Sequence, residues 1–124
     1  MSINWSRESL AWLAGLLEGE GSFVVNDTRP QITVDMTDED VIRRCHEIAG
    51  VGHVYGPYAR QRSTTGPRKD LWSWRVSQQL HTYALMVALY PWMGQRRQEK
   101  MREIMVTWLS RTRKTDACPP GFFR

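Results

Sequence analysis

Two carboxylates at the end of a predicted helix are the first candidates for chemistry. Glu18 and Glu20 close the segment 13–21, which reads LAGLLEGEG and contains three glycines. The C-terminal end of a helix carries a partial negative charge from its unpaired carbonyls, so two acids there are unfavourable unless a positive charge offsets them. Carboxylates beside backbone oxygens form the hard, oxygen-rich site that Mg²⁺ prefers. The alternative is that both acids are solvated, or that Glu18 pairs with an arginine.

The same helix carries a stripe of small residues. Ala11, Gly15 and Gly19 recur at every fourth position and therefore share one helical face. A glycine inside a helix costs about 0.5–1 kcal/mol relative to alanine, so the stripe needs a reason. Small residues at this spacing let two helix backbones approach closely. The partner helix is either that of a second copy or one in the chain's own core.

The charge of the chain favours a nucleic acid as partner. Of the 17 basic residues, 14 are arginine, the side chain best suited to bidentate recognition of phosphate and guanine. Residues 1–60 hold five basic and nine acidic side chains, whereas residues 61–124 hold twelve and four. A basic half of this kind is typical of nucleic-acid-binding proteins, although it does not by itself indicate an enzyme.

The composition excludes several other classes of protein. The 124 residues are 41% hydrophobic and 24% charged, which indicates one ordinary globular domain. We expect no membrane segment and no secretion signal, and therefore a cytoplasmic protein, or an organellar or nucleoid one if the gene is organellar. Cys45 and Cys118 are too few for a disulfide framework or a zinc site. The three histidines, His46, His53 and His81, have no metal-ligand spacing.

Hydrophobic periodicity predicts an α+β fold. The predicted order is α-β-β-α-β-β-α-α, with one antiparallel sheet and the helices on one of its faces. We place a single domain at residues 1–112 and a C-terminal tail, flexible in character, at 113–124. The predicted elements are helices over 6–20, 37–50, 77–90 and 94–110, and strands over 22–26, 31–36, 51–60 and 69–76.

Local signals give the element ends and the faces of the strands. We expect Ser6 and Ser77 to cap helices, Thr37 and Asp40 to form a capping box, and Gly19 with Gly21 to end the first helix. Residues 31–36 alternate polar and apolar, as a half-buried strand does, which puts Ile32, Val34 and Met36 on one face; residues 69–76 likewise put Trp72, Trp74 and Val76 on one face. The polar face of the sheet, free of helices, is predicted to display Gln31, Thr33, Asp35, Lys69, Ser73 and Arg75.

Residues 13–21, followed by Ser22-Phe23, resemble the motif of the LAGLIDADG homing endonuclease family. The motif here has glutamate in place of both aspartates, leucine in place of isoleucine, and glycine between the acids. The segments 50–52 and 90–98 also resemble parts of that family, as does the predicted order of elements. The resemblance covers roughly residues 6–110.

The resemblance implies a saddle-shaped sheet that lies in the DNA major groove. Members with one motif pair through their motif helices into homodimers, so this chain is expected to be half of a working enzyme. The small stripe then becomes the seam of the dimer. The interface residues implied are Ala11, Gly15, Leu16, Glu18 and Gly19.

The resemblance also implies the catalytic residues. Glu20 matches the family's catalytic acid, which holds a divalent metal together with the adjacent backbone oxygen, here that of Gly19. Arg96 best matches a basic residue before the last helix, with its neighbour Arg97 as the alternative, and Asp38 matches a polar residue after the second strand. The expected cofactor is Mg²⁺ or Mn²⁺, with Ca²⁺ binding but not supporting cleavage. Arginine at 96 keeps its charge but cannot shuttle protons.

The implied function is a site-specific DNA endonuclease that makes staggered double-strand breaks at a long, near-palindromic target. One alternative is a relative that binds nucleic acid without cutting it, either an intron RNA maturase or a transcription regulator. Another is an oligomerisation domain that binds no nucleic acid. The expected base-reading residues are Ser22, Val24, Asn26, Gln31, Thr33, Asp35, Lys69, Ser73 and Arg75, and the expected phosphate contacts are Arg60, Arg62, Arg68 and Arg97.

Overall fold

The computed structural model describes residues 5–26, 29–59 and 69–115, with only the backbone of Asn26 and of 111–115. Within these residues, four α-helices and four strands follow one another in the predicted order. A 3₁₀ turn, Tyr90–Trp92, separates the last two helices. The elements are α1 (Arg7–Glu20), β1 (Gly21–Asn26), β2 (Arg29–Met36), α2 (Glu39–Ala49), β3 (His53–Tyr58), β4 (Leu71–Val76), α3 (Gln79–Leu89) and α4 (Gln95–Thr115).

The strands form one open antiparallel sheet in the order β1-β2-β4-β3. The predicted α+β class and antiparallel sheet are thus confirmed. The two hairpin neighbours β1 and β2 pair with Gly21 opposite Val34, and β4 inserts between β2 and β3 with Trp74 opposite both Val34 and Val54.

The hydrophobic core lies between one face of this sheet and the helices. Ile32, Val34, Trp74 and Val76 are fully buried, as the alternation of β2 and β4 predicted. Each helix contributes side chains to the same core cluster: Leu13 and Leu17 from α1, Ile42 and Cys45 from α2, Leu85 and Leu89 from α3, and Met101 and Ile104 from α4. Helices on one face leave the other face of the sheet free. None of the described helices is long and apolar enough to cross a bilayer.

Helix α1 begins after Ser6 and ends before Gly21, as the sequence predicted. The Ser6 hydroxyl accepts the backbone N–H of Ser9 at 3.1 Å, which confirms the predicted cap. Gly21 ends the helix, because a Cβ there would stand 2.8 Å from the Cα of Leu17. Gly19 does not end it, contrary to the prediction, and lies within its last turn.

Three other predicted helix ends are shifted. The capping box of Thr37 and Asp40 is wrong, because α2 begins one residue later, at Glu39, and Asp38 stands at the cap without a side-chain hydrogen bond. The predicted cap at Ser77 is also wrong, since the Gln78 side chain takes that place and accepts the N–H of His81 at 2.7 Å. Helix α4 continues to Thr115 rather than Ser110. The proposed boundary at 112 stays a prediction.

Cys45 is a core residue, and its chemistry follows from its burial. Its side chain is fully buried, and this desolvation raises the pKa of the thiol to about 12. Since only the thiolate is a good nucleophile, we expect native Cys45 to resist iodoacetamide at pH 8 and to react once urea unfolds the chain. The measurement is mass-spectrometric alkylation in a Cys118→Ser background. Rapid alkylation of the native protein would contradict this packing.

Candidate functional site

The small stripe of α1 faces solvent. Ala11, Gly15 and Gly19 are all exposed, and a Cβ built on either glycine meets no atom within 4 Å. The opposite side of the helix is formed by Leu13 and Leu17, which are fully buried. The alternative that the stripe packs against the chain's own core is therefore wrong. A flat helical face of small residues is left free in the single chain.

The other two residues predicted for the interface lie beside this face. Leu16 is half-buried and Glu18 is exposed. Leu16 therefore forms an apolar border of the stripe, and Glu18 forms a charged border.

The two acids of α1 have different surroundings. The Glu18 carboxylate accepts the backbone N–H of Gly94, the residue before α4, at 3.4 Å. Glu20 is the last residue of α1, its side chain is exposed, and it has no hydrogen bond or ion pair within the residues described. Glu18 is thus used to connect two helices, whereas the Glu20 carboxylate is free to bind a ligand.

A basic groove of about 350 Å³ lies directly beyond Glu20, between β1 and α4. Arg96 and Lys100 lie on successive turns of α4 and bring two exposed cations to it. Because Ser22 and Val24 also line it, the groove adjoins the free face of the sheet. The residues that line it are Gly21, Ser22, Phe23, Val24, Arg96, Arg97 and Lys100.

Of the predicted catalytic residues, Glu20 and Arg96 lie at the same end of β1. Gly21, the residue after Glu20, lines the same groove as Arg96. Asp38 is exposed at the start of α2, and it is not among the residues that line the groove. The structure therefore places Glu20 and Arg96 near each other, whereas Asp38 lies outside the groove.

The side of the sheet without helices, which we call the open face, presents polar rows across the strands. The strand register places Ser22, Thr33, Arg75 and His53 side by side in one row. Neighbouring rows pair Val24 with Gln31, and Asp35 with Ser73 and Tyr55. Ser22, Val24 and Asp35 are exposed, Gln31, Thr33 and Arg75 are half-buried, and Lys69 is exposed just before β4.

Ser73 is a correction to the predicted open face. It was expected to be exposed, but it is fully buried. The reason is Arg75, whose Nε donates to the Ser73 hydroxyl at 3.0 Å while its guanidinium lies over the Tyr55 ring, 5.0 Å from the centroid. The arginine therefore covers the serine, and Arg75 is the group that this part of the face presents.

Sequence reasoning missed the aromatic side chains of β3. Tyr55 and Tyr58 are 38% and 42% exposed, and both rings lie within 6 Å of the Arg75 guanidinium. His53 contacts Tyr55 edge-on at a centroid distance of 6.2 Å. The period-2 alternation of His53 and Tyr55 around Val54 was the signal that could have assigned them to this face.

The donors at the end of α1 fit a hard divalent cation. The Glu20 carboxylate is exposed, Gly19 has no side chain to cover its backbone oxygen, and the helix terminus adds negative potential. Within the described residues no three Asp, Glu, His or Cys side chains cluster around a common point. That is compatible with Mg²⁺, which takes one or two carboxylates and completes its shell with waters and substrate phosphate oxygens.

Several predicted DNA contacts cannot be placed. Arg60, Arg62 and Arg68 lie outside the described residues, and Asn26 is described only as backbone in β1. Arg97 is described, and it is half-buried with its guanidinium hydrogen-bonded to two backbone carbonyls rather than free in solvent.

Comparison with known proteins gives matches in structure alone. No protein-family model and no curated protein matches the chain. The homing endonuclease I-CvuI was solved in complex with a target in the presence of Mg and, separately, of Ca. Both structures superpose with a TM-score of 0.61, over 86% of this chain and 70% of I-CvuI, at 19% and 18% sequence identity respectively. The intron-encoded homing endonuclease I-CeuI, solved with DNA, gives 0.62 at 12% identity, over 94% and 62%.

A third match is the LAGLIDADG meganuclease I-CpaMI, solved bound to uncleaved DNA, with a TM-score of 0.63 at 15% identity. It covers 92% of this chain but 38% of I-CpaMI, so the chain spans well under half of that protein. Identities this low establish a shared fold and no more. The chain has the fold of the LAGLIDADG homing endonucleases, as its motif predicted.

Proposed function

We propose that the protein is a homodimeric, metal-dependent DNA endonuclease that cuts both strands of a long, near-palindromic target and leaves staggered ends. The observation that carries this proposal is the position of Glu20. Its carboxylate, which has no partner among the described residues, ends an exposed stripe of small residues and stands beside a basic groove and the open face of the sheet. The exposed stripe, the Glu20 carboxylate and the basic groove lie next to one another, which supports a proposal in which a second copy, a cation and DNA meet there.

The residues at the end of α1 would hold the cation. The Glu20 carboxylate and the Gly19 carbonyl supply hard oxygen ligands, and the I-CvuI crystals with Mg and with Ca agree with a divalent ion at such a site. When bound, Mg²⁺ would supply Lewis-acid activation of the scissile phosphate and of the attacking water.

Arg96 would act on the phosphate itself. It is exposed in the groove next to β1, and a guanidinium stays charged at every accessible pH. It would therefore neutralise negative charge that develops on the phosphate oxygens, without taking or giving a proton. Lys100, one turn further along α4, adds a second positive charge that holds the DNA backbone in the groove.

In a two-fold symmetric dimer, each copy would cut one of the two DNA strands. If the stripes of two copies meet, their two Glu20 side chains end on either side of the symmetry axis, and each faces one DNA strand. The products are then two nicks related by the axis, hence staggered ends. The target has two related half-sites for the same reason.

Sequence would be read by the open face. Arg75, held by Ser73 and Tyr55, presents a guanidinium suited to guanine, and Gln31 presents an amide suited to adenine. Val24 and Tyr55 are exposed apolar groups that can contact a thymine methyl.

A selection from random DNA tests the proposal. We expect the pure protein, incubated with a library of randomised duplexes and Mg²⁺, to enrich cut ends from a narrow set of near-palindromic sequences. Ca²⁺ in place of Mg²⁺ is the matched control, in which binding should persist without cut ends. Binding to duplex DNA with no cleavage in either Mg²⁺ or Mn²⁺ would refute the endonuclease. Selective binding of structured RNA would instead favour a maturase.

A further inference from the structure

The end of α1 lacks a compensating charge of its own. Its last turn contains two carboxylates, Glu18 and Glu20, and no basic residue. The unpaired carbonyls of the helix terminus add further negative potential. A lysine or arginine within that turn would offset this charge, but it could also pair with the Glu20 carboxylate and compete with a cation there.

Arg97 supplies the missing charge from α4. Its Nη1 donates to the carbonyl of Gly21 at 2.8 Å and its Nη2 to the carbonyl of Glu18 at 3.1 Å. These two carbonyls stand on either side of Gly19 and Glu20. One planar guanidinium therefore spans the turn that carries the proposed metal ligands, and it binds backbone oxygens rather than either carboxylate.

The Arg97 side chain is fixed in this position by its surroundings. Its guanidinium lies 6.0 Å from the centroid of the Phe23 ring, and Phe23 is buried in β1. Its Nε is buried and has no acceptor within the described part of the chain. An arginine that served only to contact DNA phosphates would keep all its donors in solvent, where they stay satisfied.

A second contact holds the same two helix ends together. The Gly94 N–H donates to the Glu18 carboxylate, and a Cβ on Gly94 would stand 2.6 Å from a Glu18 oxygen. Gly94 precedes α4, so an acid of one helix terminus lies at the positive terminus of the next. Arg97 and Glu18 thus tie α1 and α4 at one point.

We propose that Arg97 is a positioning residue, which fixes the backbone of the turn that carries Gly19 and Glu20, and is not a DNA contact as the sequence predicted. The role of Arg97 at a metal site rests on the function proposed above. The geometric part, that Arg97 orders this turn, does not depend on it.

The test compares Arg97→Met, Arg97→Lys and a matched control, Arg102→Met. Arg102 lies on the same helix, is exposed, and bonds the Tyr90 hydroxyl. Hydrogen exchange of the segment 17–23 reports the order of the turn, with β2 and β4 as internal standards for global folding. Cleavage is measured at saturating DNA over a range of Mg²⁺, and DNA affinity is measured in Ca²⁺.

We expect Arg97→Met to speed exchange in 17–23 by about tenfold or more and to leave exchange in β2 and β4 unchanged. The Mg²⁺ concentration for half-maximal cleavage should rise by about 10–100-fold, while DNA affinity changes by less than about threefold. Lysine, with one donor group that cannot span both carbonyls, should restore part of each effect. Arg102→Met should behave as the unmodified protein.

Other results would overturn the proposal. Unchanged exchange and Mg²⁺ dependence, with weaker DNA binding and a shallower salt dependence, would make Arg97 a phosphate contact. If the unmodified protein cuts no DNA, the proposed function fails, and hydrogen exchange alone still decides whether Arg97 orders the turn.

Discussion

Glu20→Gln should abolish cleavage and spare binding. The amide keeps the size of the side chain but removes the charge that would hold a divalent cation, and Glu20 has no other partner in the described structure that the change would disturb. We expect the rate of cleavage at saturating DNA and Mg²⁺ to fall by at least about a thousandfold, since a bound metal contributes several kcal/mol to such reactions. Affinity for the selected duplex, measured in Ca²⁺-free buffer, should change by less than about threefold.

Two further variants test whether the loss of cleavage is specific to the charge at position 20. Glu8→Gln removes an exposed carboxylate from the first turn of the same helix, far from the groove, and should cut at the normal rate. Glu20→Asp keeps the charge on a shorter side chain and should retain measurable cleavage. If Glu20→Gln cut DNA as fast as the unmodified protein, the metal site would have to lie elsewhere, and the assignment of Glu20 as the catalytic acid would be wrong.

Features set by local periodicity could be predicted from the sequence. The buried faces of β2 and β4 follow from strict alternation, so Ile32, Val34, Trp74 and Val76 were placed correctly. The start of α1 follows from Ser6, which stands directly before a long apolar repeat and whose hydroxyl accepts the N–H of Ser9. The fold followed because these elements alternate in an order that one antiparallel sheet can satisfy.

Helix starts in polar stretches were less predictable. Thr37, Asp38 and Asp40 are all of types that cap helices, so the sequence could not choose among them. The structure starts α2 after Asp38, and no side-chain bond marks the choice. Likewise, Ser77 and Gln78 compete at the start of α3, and the longer amide reaches the N–H of His81.

Contacts between distant segments could not be predicted at all. Arg97 meets the end of α1 across more than seventy residues of sequence, and its charge alone suggested DNA. Ser73 was placed on the correct face by alternation, yet it is covered by the side chain of Arg75. Both errors concern where a long arginine side chain goes, which depends on tertiary neighbours rather than on local pattern.

A leucine in the small stripe of α1 should weaken the proposed dimer. Gly15 is exposed, and a Cβ there meets no atom of the described structure within 4 Å, so Gly15→Leu should leave the fold intact and even favour the helix by about 0.8 kcal/mol. In a dimer whose seam is this stripe, the same leucine would enter the interface once from each copy. Overpacking of this kind costs about 1–3 kcal/mol at each of the two sites, so the dimer dissociation constant should rise by roughly thirtyfold or more.

Sedimentation velocity with circular dichroism separates the two effects. Gly15→Leu should sediment as a folded monomer at concentrations where we expect the unmodified protein to be a dimer. It should lose double-strand cleavage, because the two proposed Glu20 sites would no longer meet. Gly15→Ala should weaken the dimer less, and Ala84→Leu, at an exposed position on α3, should leave it unchanged. A Gly15→Leu protein that still dimerised and cut both strands would mean that the seam lies elsewhere. The exposed glycines of α1 would then lose the role proposed for them, since a Cβ at either position contacts nothing within the described part of its own chain.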